Sequence, residues 1–254
     1  MTRTDTNISV TIITLNEEQA IGACLASVAW ADEVIVVDSG SSDRTGDICR
    51  SFPNVRFMHQ DWLGYGPQKN FALAQASHQW ILSLDADETV SPELQEAIKD
   101  ALQAPSQCAG YRIGRRNFYR GRWIRHSGWW PDEIIRFFKK DAGQFNNRIV
   151  HESVELSGPV GRLTGTIDHR SFHAAEDFLE KARRYAIPGA LQMHAAGKRG
   201  SALLAVIKAT AAFIKSYLLK RGFLDGRAGL LIAVSGAVGV FYRVIKLAEL
   251  AEEE

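Results

Sequence analysis

The chain has 254 residues, 46% of them hydrophobic and 23% charged, an ordinary globular composition without repeats or low-complexity tracts. It is long enough for one substantial α/β domain plus an appendage. The formal net charge of +1 argues neither for nor against a polyanionic partner; no nucleic acid is expected.

Chain order then shows alternation. Ile8 to Leu15 is β-branched and apolar and reads as a buried strand. Asn16-Glu17-Glu18 supplies a cap and first-turn carboxylates for a helix bearing Ile21, Cys24, Leu25 and Val28. A second strand, Glu33 to Val37, runs into Asp38-Ser39-Gly40-Ser41-Ser42-Asp43, a turn that opens a short helix. Val55 to Met58 is a third strand, Gln68 to Ala76 a helix, and Trp80 to Leu84 a fourth strand ending on Asp85. Ser91-Pro92-Glu93 starts another helix. Continuous apolar strands alternating with helices imply a doubly wound, mostly parallel sheet, with ligands beyond the carboxyl ends of the strands. Asn16-Glu17, Asp38 to Asp43 and Asp85 to Asp87 all fall at such ends.

From Tyr111 to about His173 the pattern loosens into short strands and loops rich in Arg, Trp and Gly. Between Arg112 and Arg148 ten basic residues face three acidic ones, which suits either an anionic substrate or a solvated basic face. Helices are expected near Ala175–Ala195, Ala202–Lys220 and Gly226–Glu249, the last two apolar on more than one face and bordered by lysine and arginine. That suits an anionic membrane surface or a helical cap. No run approaches about 18 uninterrupted apolar residues, so no spanning helix is expected; Ala228 to Tyr242 comes nearest and stops at Arg243. The polar start, Met1 to Asn7, leads straight into the first strand, so no secretory signal is expected. Cys24, Cys49 and Cys108 show neither close pairing nor metal spacing, as reduced thiols in a cytoplasmic compartment would.

Asp85-Ala86-Asp87-Glu88 places two carboxylates one residue apart after a buried strand, where a turn lets them converge on Mg²⁺ or Mn²⁺. Such a cation neutralises a diphosphate and improves it as a leaving group. Asp38 either accepts from a base N–H or ribose hydroxyl, or caps its own turn. Gly-x-Gly-x-x-Gly, the P-loop and Gly-x-Ser-x-Gly are all absent. His169 and Ηis173, four apart, read as structural or acceptor-site residues rather than a metal pair.

Four blocks, Val10 to Glu18, Val36 to Thr45, Gln68-Lys69-Asn70 and Leu84 to Glu88, together resemble glycosyltransferase family 2, of GT-A fold. The stretches Gly128 to Asp132, Arg136-Phe137-Phe138, Val150-His151-Glu152 and Gly222 to Gly226 are similar to the subgroup that builds lipopolysaccharide inner core, including transferases that place β-linked glucose on heptose. The resemblance implies a GT-A domain over 1–173 (nucleotide-sugar half to about 105, acceptor half beyond) and a helical region over 174–254. It implies a hexose, glucose, carried by a UDP-sugar, transferred with inversion to a lipid-anchored oligosaccharide by a divalent-metal enzyme on the cytoplasmic face of the inner membrane. Thr14, Asn16, Glu17, Asp38, Lys69, Asp85 and Ala86 would line the nucleotide-sugar site. Asp85, Asp87 and His151 would meet the metal, and Arg136 a diphosphate or acceptor phosphate. Asp132, with Glu133 as alternative, would be the general base; Trp129 and Trp130 would stack on sugar or pack in the core. Other readings are a transferase for another envelope acceptor, a nucleotidyltransferase, or a non-catalytic nucleotide-sugar-binding protein.

Overall fold

Strand and helix alternate from Ile8 to Gln103 because the strands bury both faces while each helix buries one. The computed structural model describes residues 7–104, 107–147 and 152–252. It contains β1 (Ile8–Thr14), α1 (Ile21–Ser27), β2 (Glu33–Asp38), α2 (Thr45–Arg50), β3 (Val55–His59), α3 (Tyr65–Gln75), β4 (Trp80–Asp85), β5 (Glu88–Val90) and α4 (Pro92–Gln103). Then follow β6 (Gly110–Tyr119), β7 (Arg122–Trp123), β8 (Glu133–Lys139), β9 (Gly143–Phe145), β10 (Val154–Leu156) and β11 (Val160–Phe172). Three helices close the chain: α5 (Glu176–Ala195), α6 (Ala202–Ile214) and α7 (Arg227–Glu252).

The main sheet has the order β3-β2-β1-β4-β8-β6-β11-β5, with β7 added to β6. Its β3, β2, β1 and β4 pair in parallel, while β8 pairs antiparallel with both β4 and β6, and β5 antiparallel with β11. This is the expected GT-A-type α/β sheet with helices on both faces. Alternate residues of the central strands divide between two cores: Val10, Ile12, Val34 and Val36 pack with α1 and α4, and Ile13, Ile35 and Val37 pack with α3. Ser91 caps α4 by accepting from the Leu94 N–H at 3.2 Å, as its sequence predicts. Gly66 lets α3 approach the segment after β9, since a Cβ there would overlap the Asn146 carbonyl oxygen.

Three expectations need correction. Asn16 is not a helix cap: α1 starts at Ile21, and Asn16 takes a left-handed conformation (φ 56°) that the short amide side chain tolerates. The middle of the chain is more regular than its Arg-rich composition suggests, because β6 and β11 run for 10 and 13 residues. Charged residues occupy their exposed positions and mask the alternation. The third concerns the helices. Ala202–Leu219 and Arg227–Glu252 are each long and apolar enough to cross a membrane by length and composition, with mean hydropathy 1.6 and 1.9 over their most apolar 18 residues. Isolated polar residues interrupt the apolar runs without interrupting the helices.

The chain divides into two compact units, Met1–Arg115 with Glu133–His169, and Arg116–Asp132 with Arg170–Glu254. In the second unit, Ile124, Phe172, Phe178, Ala228 and Ile232 form a small core. Asp225 ties the loop after β7 to the helices by accepting from the Arg125 and His126 N–H groups and pairing with the His126 ring. A π-helical turn, Lys215–Leu219, and a short 3₁₀ turn, Gly222–Asp225, link α6 to α7.

Candidate functional site

The loops leaving β1 and β2 are bound to one another. The Asn16 side-chain oxygen accepts from the Ser42 N–H at 2.8 Å, and the Asn16 N–H donates to the Ser41 hydroxyl at 2.8 Å. The Glu17 N–H donates to Thr45 Oγ1 at 2.8 Å, and Glu18 and Asp43 exchange similar bonds with the opposite loop. Asp38 spends its carboxylate inside this arrangement: it accepts from the Gly40 and Ser41 N–H groups, both at 2.9 Å, and from the Ser41 hydroxyl. Asp38 is therefore the cap of its own turn and is buried. Thr14, at the end of β1, holds a buried hydroxyl that meets no hydrogen-bond partner among the described residues. A buried orphan hydroxyl is costly, and a polar ligand would relieve it.

Beside these loops lies a chain of ion pairs in the first unit. Lys69, on the buried side of α3, reaches Asp85 Oδ1 at 2.8 Å and Glu152 Oε1 at 2.8 Å. Arg136, from β8, donates to Asp85 Oδ2 at 2.5 Å and to Glu88 Oε1 at 3.3 Å. Arg115, from β6, also reaches Glu88 Oε1 at 3.3 Å. The second Glu88 oxygen accepts from the Asp85 N–H at 3.0 Å. Three cations thus face three carboxylates, and each buried charge is paired, as burial demands. Burial by itself would raise the Asp85 carboxyl, but Arg136 and Lys69 more than offset it and hold Asp85 well below the usual carboxylate range. Burial would likewise lower Arg136, yet Asp85 and Glu88 keep its guanidinium above its ordinary value.

The two carboxylates of the Asp85-Ala86-Asp87 motif consequently face different tasks. Asp85 has a cation on each oxygen and acts as an anchor for Lys69 and Arg136. Ala86 is buried in the core beneath the turn. Asp87 Oδ2 lies 3.4 Å from His169 Nε2. His169 is brought there by β11, which pairs with β5 so that His169 sits opposite Glu88. Sequence spacing gives His169 no metal partner, because only the long-range pairing of β11 with β5 puts it next to Asp87.

The Asp87 side is also short of positive charge. The half-buried Glu17 carboxyl is pushed up to about 7, first by burial and then by Asp87, Asp43 and Asp85. Among the described residues no set of three His, Cys, Asp or Glu side chains is arranged around one ion. Asp87 and His169 nevertheless fit a divalent cation as a partial donor set, an oxygen and a nitrogen within one coordination sphere, leaving positions for phosphate oxygens and water. His151 lies outside the described residues.

Glu17 gives a pH prediction. The folded chain retains its proton up to about 7, whereas the unfolded chain releases it near the ordinary 4.5. The folded state binds more protons in that window, so stability falls as pH rises through it. Glu17→Gln should flatten this part of the thermal-stability profile; wild-type and variant melting curves that stay parallel from pH 4.5 to 7 would contradict it.

Of the remaining residues, Asp132, in the second unit, accepts from Asn117 Nδ2 at 3.2 Å. Glu133, in the first unit, pairs with Arg162 at 2.5 Å. Trp129 packs against Phe172 and Phe178, with ring centroids 5.1 and 6.0 Å away, and is a core residue. Trp130 stands edge-on to Trp123, over which Arg125 stacks at 4.4 Å. Part of the basic excess is therefore structural: Arg115 and Arg136 balance Glu88, and Arg125 and Arg116 lie over an aromatic ring.

Comparison with known proteins identifies the family. The family model "Glycosyl transferase family 2" matches residues 9–155, which include nearly all of β1, β2 to β4, Lys69, Asp85, Asp87, Asp132 and Arg136. A "Lipopolysaccharide core biosynthesis glycosyltransferase LpsC" of Rhizobium meliloti is 30% identical over 94% of this chain and 91% of its own length. An uncharacterized glycosyltransferase of Rickettsia typhi is 32% identical over 96% of this chain and 87% of its own. Residues 1–349 of S. aureus TarS, solved with UDP, share 17% identity over 98% of this chain and 92% of that one, with a TM-score of 0.49. With linked strand-end loops, an aspartate pair that faces cations on one side and a histidine on the other, and a family model covering most of these residues, the chain belongs to glycosyl transferase family 2 and is a glycosyltransferase.

Proposed function

We propose that this enzyme transfers a hexose, glucose, from a UDP-sugar to a lipid-linked acceptor, the heptose region of a lipopolysaccharide core, with inversion and with a divalent cation. The observation that carries the reading is the division of labour within Asp85-Ala86-Asp87. Asp87 and His169 would hold the cation, while Lys69 and Arg136 stay fixed on Asp85. When bound, the cation supplies charge neutralisation for the departing diphosphate. The acceptor reading rests on the Rhizobium meliloti relative, whose name places it in lipopolysaccharide core biosynthesis.

The chain's own residues then have distinct tasks. The Thr14 hydroxyl and the joined Asn16–Thr45 loops meet the nucleoside. Asp38 stiffens the turn that approaches it. Lys69 and Arg136 hold positive potential at fixed positions, so little reorganisation is needed as charge moves onto the diphosphate. A single base takes the acceptor hydroxyl proton as that oxygen attacks the anomeric carbon. Asp132 is our assignment. Glu133 is already paired with Arg162. Acting at the cytoplasmic face of the inner membrane, the enzyme would meet its acceptor there.

The test is a panel of nucleotide sugars incubated with Mn²⁺ or Mg²⁺ and scored for UDP release, with and without truncated core lipopolysaccharide. UDP-glucose should be the favoured donor and the acceptor should stimulate release. Pyrophosphate release from a nucleoside triphosphate would instead identify a nucleotidyltransferase, and binding without turnover a non-catalytic protein. Asp132→Asn should lower kcat by roughly 10²–10⁴-fold, the usual contribution of a general base, with little change in donor KM. Normal turnover in that variant would remove Asp132 from the mechanism.

A further inference from the structure

The helix α6 turns most of its large apolar side chains outward. Its inward side carries Ala205, Ala209, Ala212 and, in the following π-turn, Ser216, with Leu204, Phe213 and Tyr217 half-buried beside them. Large apolar side chains point outward instead: Leu203 is 71% exposed, Leu219 is 74% exposed, and Val206, Ile207, Ile214 and Leu218 are also exposed. Of the stretch Ala202–Leu219, whose mean hydropathy is 1.6, only 6% is buried. A helix facing water carries the opposite distribution, with large apolar residues inside and polar ones outside. A helix that packs on α7 and still presents a row of large apolar side chains outward is what a helix facing hydrocarbon needs.

Charge selects the occupant of this face. From Ser201 to Leu224 the chain carries Lys208, Lys215, Lys220 and Arg221, and no Asp or Glu. Two copies meeting through this face would bring their cations together, whereas an anionic lipid surface complements them. Placement of the lysines selects the mode. Lys208 and Lys215 are seven residues apart, so both lie along one flank of the apolar face. A helix crossing the bilayer would carry both into hydrocarbon. One lying in the plane lets both stems run along the apolar boundary and both ammonium groups reach headgroups.

We propose that α6 inserts in the plane of an anionic lipid monolayer, with Leu203, Val206, Ile207, Ile214 and Leu218 in the acyl region and Lys208 and Lys215 at the headgroups. This rests on the membrane reading above and gives it an element, a depth and a lipid chemistry.

The full chain should sediment with phosphatidylcholine vesicles containing phosphatidylglycerol, and far less with phosphatidylcholine alone. Ile207→Asp/Ile214→Asp should lose vesicle binding, while Lys208→Gln/Lys215→Gln should lose roughly tenfold or more of the preference for anionic vesicles. Because these positions are exposed and outside the site, UDP release from donor alone should match wild type in both variants, which separates lost binding from misfolding and from failure of the transferase reading. A fluorophore at Ile207→Cys and at Ile214→Cys, in a Cys108→Ser background, should report equal shallow depths by lipid-borne quenchers. Depths differing by about 10 Å, the rise of seven helical residues, would mean a crossing helix and overturn the proposal. So would wild-type chain that ignores anionic vesicles, or that instead forms a dimer abolished by Ile207→Asp/Ile214→Asp.

Discussion

Asp87→Asn should lower kcat by about 10²-fold or more while leaving the fold and its thermal stability close to wild type. The asparagine keeps the shape but loses the charge that a divalent cation and the diphosphate it carries would need. Asp87 is half-buried, and its neighbour His169 lies 3.4 Å away, so no buried charge is abandoned by the change. Asp85→Asn should behave differently, because Asp85 neutralises two buried cations at once. Its main cost should fall on stability. Steady-state kinetics over a Mn²⁺ titration, beside urea unfolding of the same samples, separates the two. Equal stability losses in the two variants would refute the split roles assigned to this motif. His169→Gln should follow Asp87 in weakening the response to metal, by roughly 10- to 100-fold in apparent metal affinity.

The second large effect concerns Arg136. Arg136→Met should destabilise the fold by about 3–5 kcal/mol, the usual cost of removing one partner from a buried ion pair. Its guanidinium joins Asp85 to the fully buried Glu88, and Arg115 and Lys69 cannot cover both carboxylates in the same positions. Arg136→Lys should recover part of the loss, since it restores a charge without the planar fork. The pH dependence follows from Asp85. With its carboxyl lowered in the fold, it contributes stability above the ordinary value of 3.8, lost as pH falls toward the lowered one. The gap between wild type and Arg136→Met should therefore be full at neutral pH and narrow in acid. Urea midpoints at pH 7 and pH 3 measure it; a gap that widens in acid would contradict the pairing.

What could be read directly from residue order was local. The strand ends at Asn16, Asp38 and Asp85 follow from β-branched runs closing on turn residues, and the Ser91-Pro92 start of α4 from cap chemistry. The helices after residue 174 were likewise evident in their periodicity. Contacts between distant segments were not legible. Lys69 and Glu152 are 83 residues apart, and His169 reaches Asp87 only because β11 pairs with β5. Antiparallel register of that kind leaves no local trace, which is why His169 and Glu152 escaped the sequence reading while Lys69 and Asp87 did not. Asp38 shows the converse limit. Its position was evident, but its work as a turn cap depends on N–H groups that only folded coordinates locate. The helix α6 hid for a different reason, since apolar composition does not say which side is turned outward.

The proposed reaction moves a hexose from UDP-glucose with inversion, in a site whose metal side is Asp87. The most direct measurement is proton NMR of the product formed from UDP-glucose, Mn²⁺ and truncated core lipopolysaccharide by wild type and by Asp87→Asn. A new β-linked glucose on heptose is expected with wild type and a trace at most with the variant. An α-linked product, or equal product from the two proteins, would contradict it.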